Sequence, residues 1–121
     1  MPYANDGSIT YENIINRFNT DLANNLGNLV NRTVAMTKKY FDGIIPTPCK
    51  DEGVDGELKG CVASSITKFC SLMDDFRIAE ASECVFDMLS RANKYIDETT
   101  PWALAKDESQ KGRLGTVLYN L

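Results

Sequence analysis

The stretch RIAEASECVFDMLSRANKYIDETTPW, residues 77–102, determines most of the predicted fold. Its apolar side chains recur every three or four residues, which is the spacing of one face of an α-helix. They are Ile78, Ala81, Val85, Met88, Leu89, Ala92, Tyr95 and Ile96. Pro101 cannot continue a helix and moves Thr100 toward extended geometry. The pattern therefore predicts a helix over residues 77–98 that buries one face, followed by a turn that carries Trp102.

Two more helices are predicted before this one, after a lead-in at residues 1–9. Thr10 is a suitable N-cap for a helix that runs to residue 41, although the Asn-rich residues 19–25 permit a break. The apolar stripe of this helix is Ile15, Phe18, Leu22, Leu26, Leu29, Thr33, Met36 and Tyr40. A linker with two prolines covers residues 44–55, and a second helix is predicted over residues 56–73. Its inward residues are Leu58, Val62, Ile66, Phe69 and Met73.

A last helix is predicted from Ser109 onward, because four apolar residues return at helical spacing. They are Leu114, Val117, Leu118 and Leu121. No Gly or Pro stops this pattern, so we expect a truncated helix. Amphipathic helices without a strand pattern indicate an all-α, antiparallel helical bundle, in a single domain over residues 1–121.

The composition excludes several classes of protein. The net charge is −4 at pH 7, whereas nonspecific binding to phosphates requires a basic surface. No apolar run reaches the roughly 20 residues of a membrane span, and the N-terminus lacks the pattern of a signal peptide. We therefore expect a cytoplasmic protein with no membrane partner, in which a few placed side chains make any contact with RNA.

The chain has four cysteines and no histidine. No pair of cysteines has the Cys-x-x-Cys spacing of zinc sites, so neither a metal site nor a catalytic residue is predicted. Cys61, Cys70 and Cys84 fall on apolar helical faces, where cysteine acts as a small hydrophobe. This placement favours buried free thiols over disulfides, in agreement with a reducing cytosol.

Polar residues flank two of the predicted stripes in pairs four residues apart. Asn28 and Arg32 lie beside the first stripe, and Asn93 and Asp97 lie beside the third. Each pair fits either a solvated helix edge or polar groups placed to meet a ligand. Trp102 fits either a ring folded onto the core or an exposed ring that stacks on an unpaired base. Spacing alone leaves these alternatives open.

Three segments carry a resemblance to a known family. They are NTDLANNLGNLVNR at residues 19–32, KKYFDG at residues 38–43 and RANKYIDETTPWALAKD at residues 91–107. Together they resemble the helical anticodon-binding domain of bacterial methionyl-tRNA synthetases, over nearly the whole chain and least at residues 44–57. Class I synthetases for Leu, Ile, Val and Cys share this bundle. The pairing of Asn-Leu-x-x-Arg with Tyr-Ile-Asp-x-x-x-Pro-Trp is typical of the methionine enzyme.

The resemblance implies a role for each matched position. Asn28 and Arg32 would hydrogen-bond anticodon bases, and Trp102 would stack on the first anticodon base. The supporting residues, which would shape the pocket and place these three, are Asn93, Asp97 and Pro101. The implied target is the CAU anticodon of methionine tRNAs.

The catalytic signatures of that family are absent from this sequence. It contains neither a His-Ile-Gly-His type segment nor a Lys-Met-Ser-Lys-Ser segment, and no zinc-binding insertion. The resemblance thus implies a part of a methionine–tRNA ligase without a catalytic site or cofactor of its own. The match ends inside the family's last helix, which implies self-association through the apolar residues Leu114, Val117, Leu118 and Leu121. ATP with Mg and methionine would bind to a catalytic domain, which would be a partner together with the anticodon loop of the tRNA. The acidic charge keeps one alternative open, a helical protein–protein interaction module without RNA binding.

Overall fold

The computed structural model describes residues 7–121, in which every regular element is helical. The first elements are α1 (Tyr11–Arg17), a π-helical segment (Phe18–Gly27) and α2 (Asn28–Phe41), which follow one another without a break. We call these three elements, residues 11–41, the N-terminal rod. The later elements are α3 (Gly53–Asp74), α4 (Ile78–Thr99), α5 (Pro101–Leu104), a 3-10 turn (Glu108–Gln110) and α6 (Lys111–Asn120). The prediction of an all-α helical bundle is confirmed.

The ends of the helices follow capping chemistry that is only partly visible in the sequence. The Thr10 side chain accepts a hydrogen bond of 3.1 Å from the Asn13 backbone N–H, as expected of an N-cap. Helix α3 begins at Gly53, because Glu52 and Asp55 form a capping box. Glutamate is not a preferred N-cap residue, so the predicted first residue of this helix, residue 56, was too late. The predicted linker at residues 44–55 is therefore too long, because residues 53–55 belong to α3.

The core lies between α3 and α4, which run antiparallel. At one end, Leu72 of α3 packs with Ala81 and Cys84 of α4. At the other end, Leu58 of α3 packs with Tyr95 of α4, and α6 adds Val117. Each large apolar side chain buried in this way stabilises the fold by about 1.5–3 kcal/mol.

Two side chains predicted to face inward from α3 are exposed instead. Ile66 is 57% exposed and Met73 is 39% exposed. Helix α4 covers one side of α3, whereas α6 contacts α3 through the cluster around Leu58. The inward stripe of α3 is therefore narrower than its helical spacing indicates.

Helix α6 is packed into the body of the chain. Leu114, Val117 and Leu118 are buried, and Leu121 is half-buried. The linker lies against the same helix, where the Cys49 backbone N–H donates a 2.8 Å hydrogen bond to the Thr116 hydroxyl. The expectation that the four apolar residues of α6 form a self-association surface is wrong, because the chain's own core already uses them.

The apolar stripe predicted for the N-terminal rod is only partly buried. Leu29 is 7% exposed, but Ile15, Phe18 and Leu22 are 57%, 60% and 45% exposed. A π-helix bonds residue i to i+5, so side chains spaced by three and four do not stay in one line across it. The prediction of a continuous inward stripe is therefore wrong for the first half of the rod.

The cysteines differ from one another in burial, and all four are free thiols. Cys84 is buried as predicted, and Cys61 is half-buried. Cys70 is exposed, so the prediction of a buried thiol is wrong there. Its neighbour Phe69 takes the inward position, and one helical step turns Cys70 away from it.

Candidate nucleic-acid interface

The N-terminal rod lies alongside α4, and the two run in the same direction. Near the start of both, an Arg17 nitrogen lies 3.7 Å from a carboxylate oxygen of Glu83. Further along, Asn25 contacts Ser90, and Arg32 contacts Asp97. Residues that the sequence separates by more than 60 positions therefore meet along one seam.

Arg32 and Asp97 form a direct ion pair across this seam. A guanidinium nitrogen of Arg32 donates a 2.8 Å hydrogen bond to a carboxylate oxygen of Asp97. The side chains are 34% and 66% exposed. A carboxylate in the last turn of a helix is unfavourable against the helix dipole, and the arginine offsets that cost. Within residues 7–121 the other guanidinium nitrogens of Arg32 have no hydrogen-bond partner, so they can serve a ligand.

Asn28 lies one helical turn before Arg32 on the same face of α2. Its backbone is fixed, because its N–H bonds the carbonyls of Ala23 and Asn25. Its side chain is exposed and, among the described residues 7–121, makes no hydrogen bond. Asn28 therefore offers a donor and an acceptor on a rigid backbone beside the Arg32–Asp97 pair.

Asn93 contacts Asn25, a residue that sequence reasoning missed. The Asn93 side-chain amide donates to the backbone carbonyl of Asn25 at 3.1 Å and to its side-chain oxygen at 3.0 Å. Asn25 in turn donates to the Phe86 carbonyl at 3.1 Å and to the Ser90 hydroxyl at 2.9 Å. No local sequence pattern could have paired Asn25 with Asn93, because the two residues are 68 positions apart in the chain.

Trp102 stands at a sharp corner after α4. Thr100 has φ 43 and ψ 63, in the left-handed region, which a β-branched residue adopts only at a cost. The extended geometry predicted for Thr100 is therefore wrong. Its N–H still bonds the Ile96 carbonyl of α4, while its own carbonyl accepts the Ala103 N–H of α5. The left-handed conformation of Thr100 lets the chain turn sharply from α4 into α5.

The corner buries Pro101 and leaves the Trp102 side chain 44% exposed. The ring is thus neither a core residue nor fully solvated. Within the described residues, no hydrogen bond joins Trp102 to Asn28 or Arg32. The link between them is α4, which carries the corner at its end and Asp97 one turn earlier.

A buried charged group supports this end of α4. Asp55 is fully buried and accepts hydrogen bonds from the Tyr95 hydroxyl and from both terminal nitrogens of Arg113. Burial raises the pKa of Asp55, but the bonds from Arg113, Tyr95 and the Glu52 backbone lower it, to about 2. Burial and the bond to Asp55 raise the pKa of Tyr95 to about 12. The group joins α3, α4 and α6, and no pattern in the sequence indicated it.

An open groove runs along the exposed side of the rod. It has a volume of about 980 Å³, and Phe86 of α4 forms one wall. Its apolar lining consists of Ile9, Ile14, Phe18, Leu22 and Phe86. An apolar groove of this size beside a solvated rod is typical of a surface that meets another protein segment.

Two further observations concern membranes and metals. No helix in residues 7–121 is long and apolar enough to cross a membrane. In the same part of the chain, no three His, Cys, Asp or Glu residues are grouped so that they could hold a metal ion.

The sequence is similar over its whole length to curated methionine–tRNA ligases. It is 53% identical over 121 residues to the protein of Clostridium perfringens and 51% identical over 121 residues to that of Caldanaerobacter subterraneus subsp. tengcongensis. Each alignment covers 100% of this chain but 19% of the relative, so the chain spans a small part of the length of these relatives. The profile of the family described as "tRNA synthetases class I (M)" matches residues 1–34.

Solved structures agree with the sequence relatives. The methionyl-tRNA synthetase of Mycobacterium tuberculosis bound by methionyl-adenylate has a TM-score of 0.93 and 36% identity, over 99% of this chain and 24% of that one. The apo form of the same synthetase gives the same TM-score and identity, over 99% of this chain and 25% of that one. These 121 residues therefore correspond to one part of a methionyl-type class I tRNA synthetase.

Proposed function

We propose that this part of the synthetase recognises the CAU anticodon of methionine tRNAs. The observation that carries the proposal is the Arg32–Asp97 ion pair beside the free side chain of Asn28. The pair holds a guanidinium in a fixed place without burying it. Groups held in this way can read the edges of bases that an RNA loop leaves unpaired.

The charge of the chain supports selective reading over general affinity for RNA. With a net charge of −4, the chain lacks the basic surface that phosphate binding requires. Asp97 also offsets the positive charge of Arg32, so the guanidinium acts mainly through directed hydrogen bonds. The amide of Asn28 adds one donor group and one acceptor, which suits the Watson–Crick edge of a base.

The half-exposed ring of Trp102 supplies the third contact. Its face is available to stack on a base, and stacking of this kind contributes about 1–3 kcal/mol. Pro101 is buried and fixes the start of α5, so the backbone that carries Trp102 is held in place before a base arrives. We assign the first anticodon base to this stack.

The remainder of the synthetase would supply the chemistry. In this proposal, ATP with Mg and methionine bind to the catalytic domain, in the cytoplasm, and this chain selects the tRNA. The groove along the rod would be the surface on which the rest of the synthetase docks. Two facts favour that occupant: the relatives extend far beyond this chain, and the synthetase profile matches residues 1–34, which include the wall of the groove on the rod.

The alternative of a protein–protein module without RNA binding rests on the same groove. The groove explains a contact with protein, but it leaves the seam between the rod and α4 unexplained. We therefore assign the groove to the rest of the synthetase and the seam to the tRNA.

The proposal is tested with Asn28→Ala in the full synthetase. Its matched control is Asn19→Ala, since Asn19 is also exposed on the N-terminal rod, nine residues from Asn28, and has no hydrogen bond within residues 7–121. Asn28→Ala should weaken binding of a CAU anticodon stem-loop about five- to tenfold, as expected for a lost hydrogen bond of about 1 kcal/mol. Asn19→Ala should leave binding unchanged. Equal affinities of both variants and wild type would overturn the proposal.

A further inference from the structure

The π-helical segment is held in an unusual geometry next to the proposed reading residues. Ten residues, Phe18–Gly27, are π-helical, whereas π-helices are generally rare and limited to one turn. The last turn closes around Gly27. A β-carbon on that residue would lie 3.1 Å from the backbone oxygen of Leu22, five residues earlier. A side chain at this position would require the Leu22 carbonyl to shift by a few tenths of an ångström.

The end of this segment fixes the backbone of Asn28. The Asn28 N–H donates to the carbonyl of Ala23, five residues earlier, which is the bond that closes the last π turn. It donates also to the carbonyl of Asn25. The direction in which the Asn28 side chain points therefore depends on the π-helical segment and not on α2 alone.

Asn25 fastens this segment to α4. Its side-chain amide donates to the Phe86 carbonyl and the Ser90 hydroxyl, while its carbonyl and side-chain oxygen accept from Asn93. The Asn25 carbonyl thus receives one hydrogen bond from Asn93 and another from Asn28. Asn28 therefore lies between two side-chain contacts with α4, one made by Asn25 and one made by Arg32.

We infer that Asn25 is a positioning residue for anticodon reading, which acts by locking the π-helical segment to α4. Asn25 itself does not touch the RNA. It sets the rotation of α2, and so decides where the side chains of Asn28 and Arg32 stand relative to Asp97. This inference rests on the proposed function, since it concerns how the same seam reads a base.

The test compares Asn25→Ala with Asn24→Ala in the full synthetase. Asn24 is exposed, is next in sequence and has no hydrogen bond within residues 7–121, so it controls for loss of an asparagine from the π-helical segment. Ser90→Ala, which removes one acceptor of the Asn25 amide, is a milder second variant in case Asn25→Ala folds poorly. The measurements are hydrogen exchange in peptides that cover residues 22–34, affinity for CAU and altered anticodon stem-loops, and steady-state aminoacylation.

Asn25→Ala is expected to speed hydrogen exchange in this segment and to lower the preference for the CAU loop about tenfold, with Ser90→Ala intermediate. The KM for tRNA should rise while kcat stays near wild type, because a misplaced reading surface weakens binding and leaves the catalytic step intact. A general loss of structure would instead lower kcat and weaken binding of both loops.

Two different results would overturn the inference. If Asn28→Ala lowers the preference for CAU but Asn25→Ala behaves like Asn24→Ala, Asn25 is not a positioning residue. The proposed function then stands. If wild type and Asn28→Ala bind both loops equally, the proposed function fails and the positioning role fails with it.

Discussion

Arg32 of α2 donates a 2.8 Å hydrogen bond to Asp97 of α4, which lies 65 residues later in the chain. Both side chains are partly exposed, and pairs of this kind contribute about 0–1 kcal/mol to stability. The Arg32–Asp97 ion pair therefore matters less for stability than for the orientation of the Arg32 side chain. It holds a guanidinium at a set place on the seam between the N-terminal rod and α4.

The ion pair predicts that Asp97→Ala weakens RNA binding more than it weakens the fold. Freed from Asp97, Arg32 samples several rotamers, and the affinity for a CAU stem-loop should fall several-fold. Asp87→Ala is the control, since Asp87 is exposed on the same helix and has no partner within residues 7–121. A double-mutant cycle with Arg32→Ala should give a coupling energy for binding. Identical affinities for the Asp97 and Asp87 variants would contradict this role.

The corner at Thr100 predicts an unusual response to glycine. Because Thr100 has φ 43, Thr100→Gly should relieve a backbone strain of about 1–2 kcal/mol. This gain offsets the greater conformational entropy that glycine gives to the unfolded chain. The free energy of unfolding should stay the same or rise. Thr99→Gly is the control, because Thr99 ends α4 and bonds the Tyr95 carbonyl, and its loss should cost about 1 kcal/mol. Denaturant titration of both variants measures the difference, and an equal loss in both would argue against the strained corner.

The buried Asp55 predicts acid sensitivity. Its pKa in the folded chain is about 2, below the ordinary value of 3.8, so the unfolded state takes up its proton first as pH falls. The stability that Asp55 contributes is complete above about pH 5, and about 2 kcal/mol is lost as pH falls toward 2. Urea titrations at a series of pH values measure this loss.

Asp55→Asn should remove that part of the pH dependence. It should also lower stability at neutral pH by about 3 kcal/mol, because Arg113 then lacks its buried partner. Asp87→Asn serves as an exposed control. An unchanged acid profile in Asp55→Asn would show that other groups cause the sensitivity.

The groove predicts that Phe18 is covered in the full synthetase. Phe18 is 60% exposed in this chain, and Ile66 of α3 is 57% exposed but lies outside the groove. In the full enzyme Phe18→Ser should lower the unfolding free energy by about 2 kcal/mol, and Ile66→Ser should have little effect. Chemical denaturation of the two variants distinguishes them. Equal, small effects would mean that the rest of the synthetase does not dock there.

Periodicity in the sequence was sufficient to predict the helices but not how their faces are used. The stripe in residues 77–98 predicted most of the buried face of α4, because Ala81, Tyr95 and Ile96 are all buried. It was wrong at its first residue, since Ile78 is 40% exposed. The same rule was wrong for the first half of the N-terminal rod. A π-helix has no separate composition signal, so apolar spacing of three and four does not reveal it.

The candidate site was predictable where a local motif carried it. The sequence segments around Asn28 and Trp102 identified the candidate residues. That these residues bind RNA stays a prediction. The tie between Asn25 and Asn93 spans 68 positions, and no local pattern encodes such a pairing. The buried Asp55 was missed for the same reason, since its partner Arg113 is 58 residues away.

The measurement that tests the central claim most directly is the affinity of the full synthetase for two anticodon stem-loops, CAU and a loop with a changed first base. Wild type should prefer CAU, and Trp102→Ala should weaken binding to CAU by about 1–3 kcal/mol, the range for a lost base stack. Tyr119→Ala controls for loss of another exposed aromatic ring, which is 53% exposed on α6. If wild type binds both loops equally and Trp102→Ala changes neither affinity, this chain does not read the anticodon.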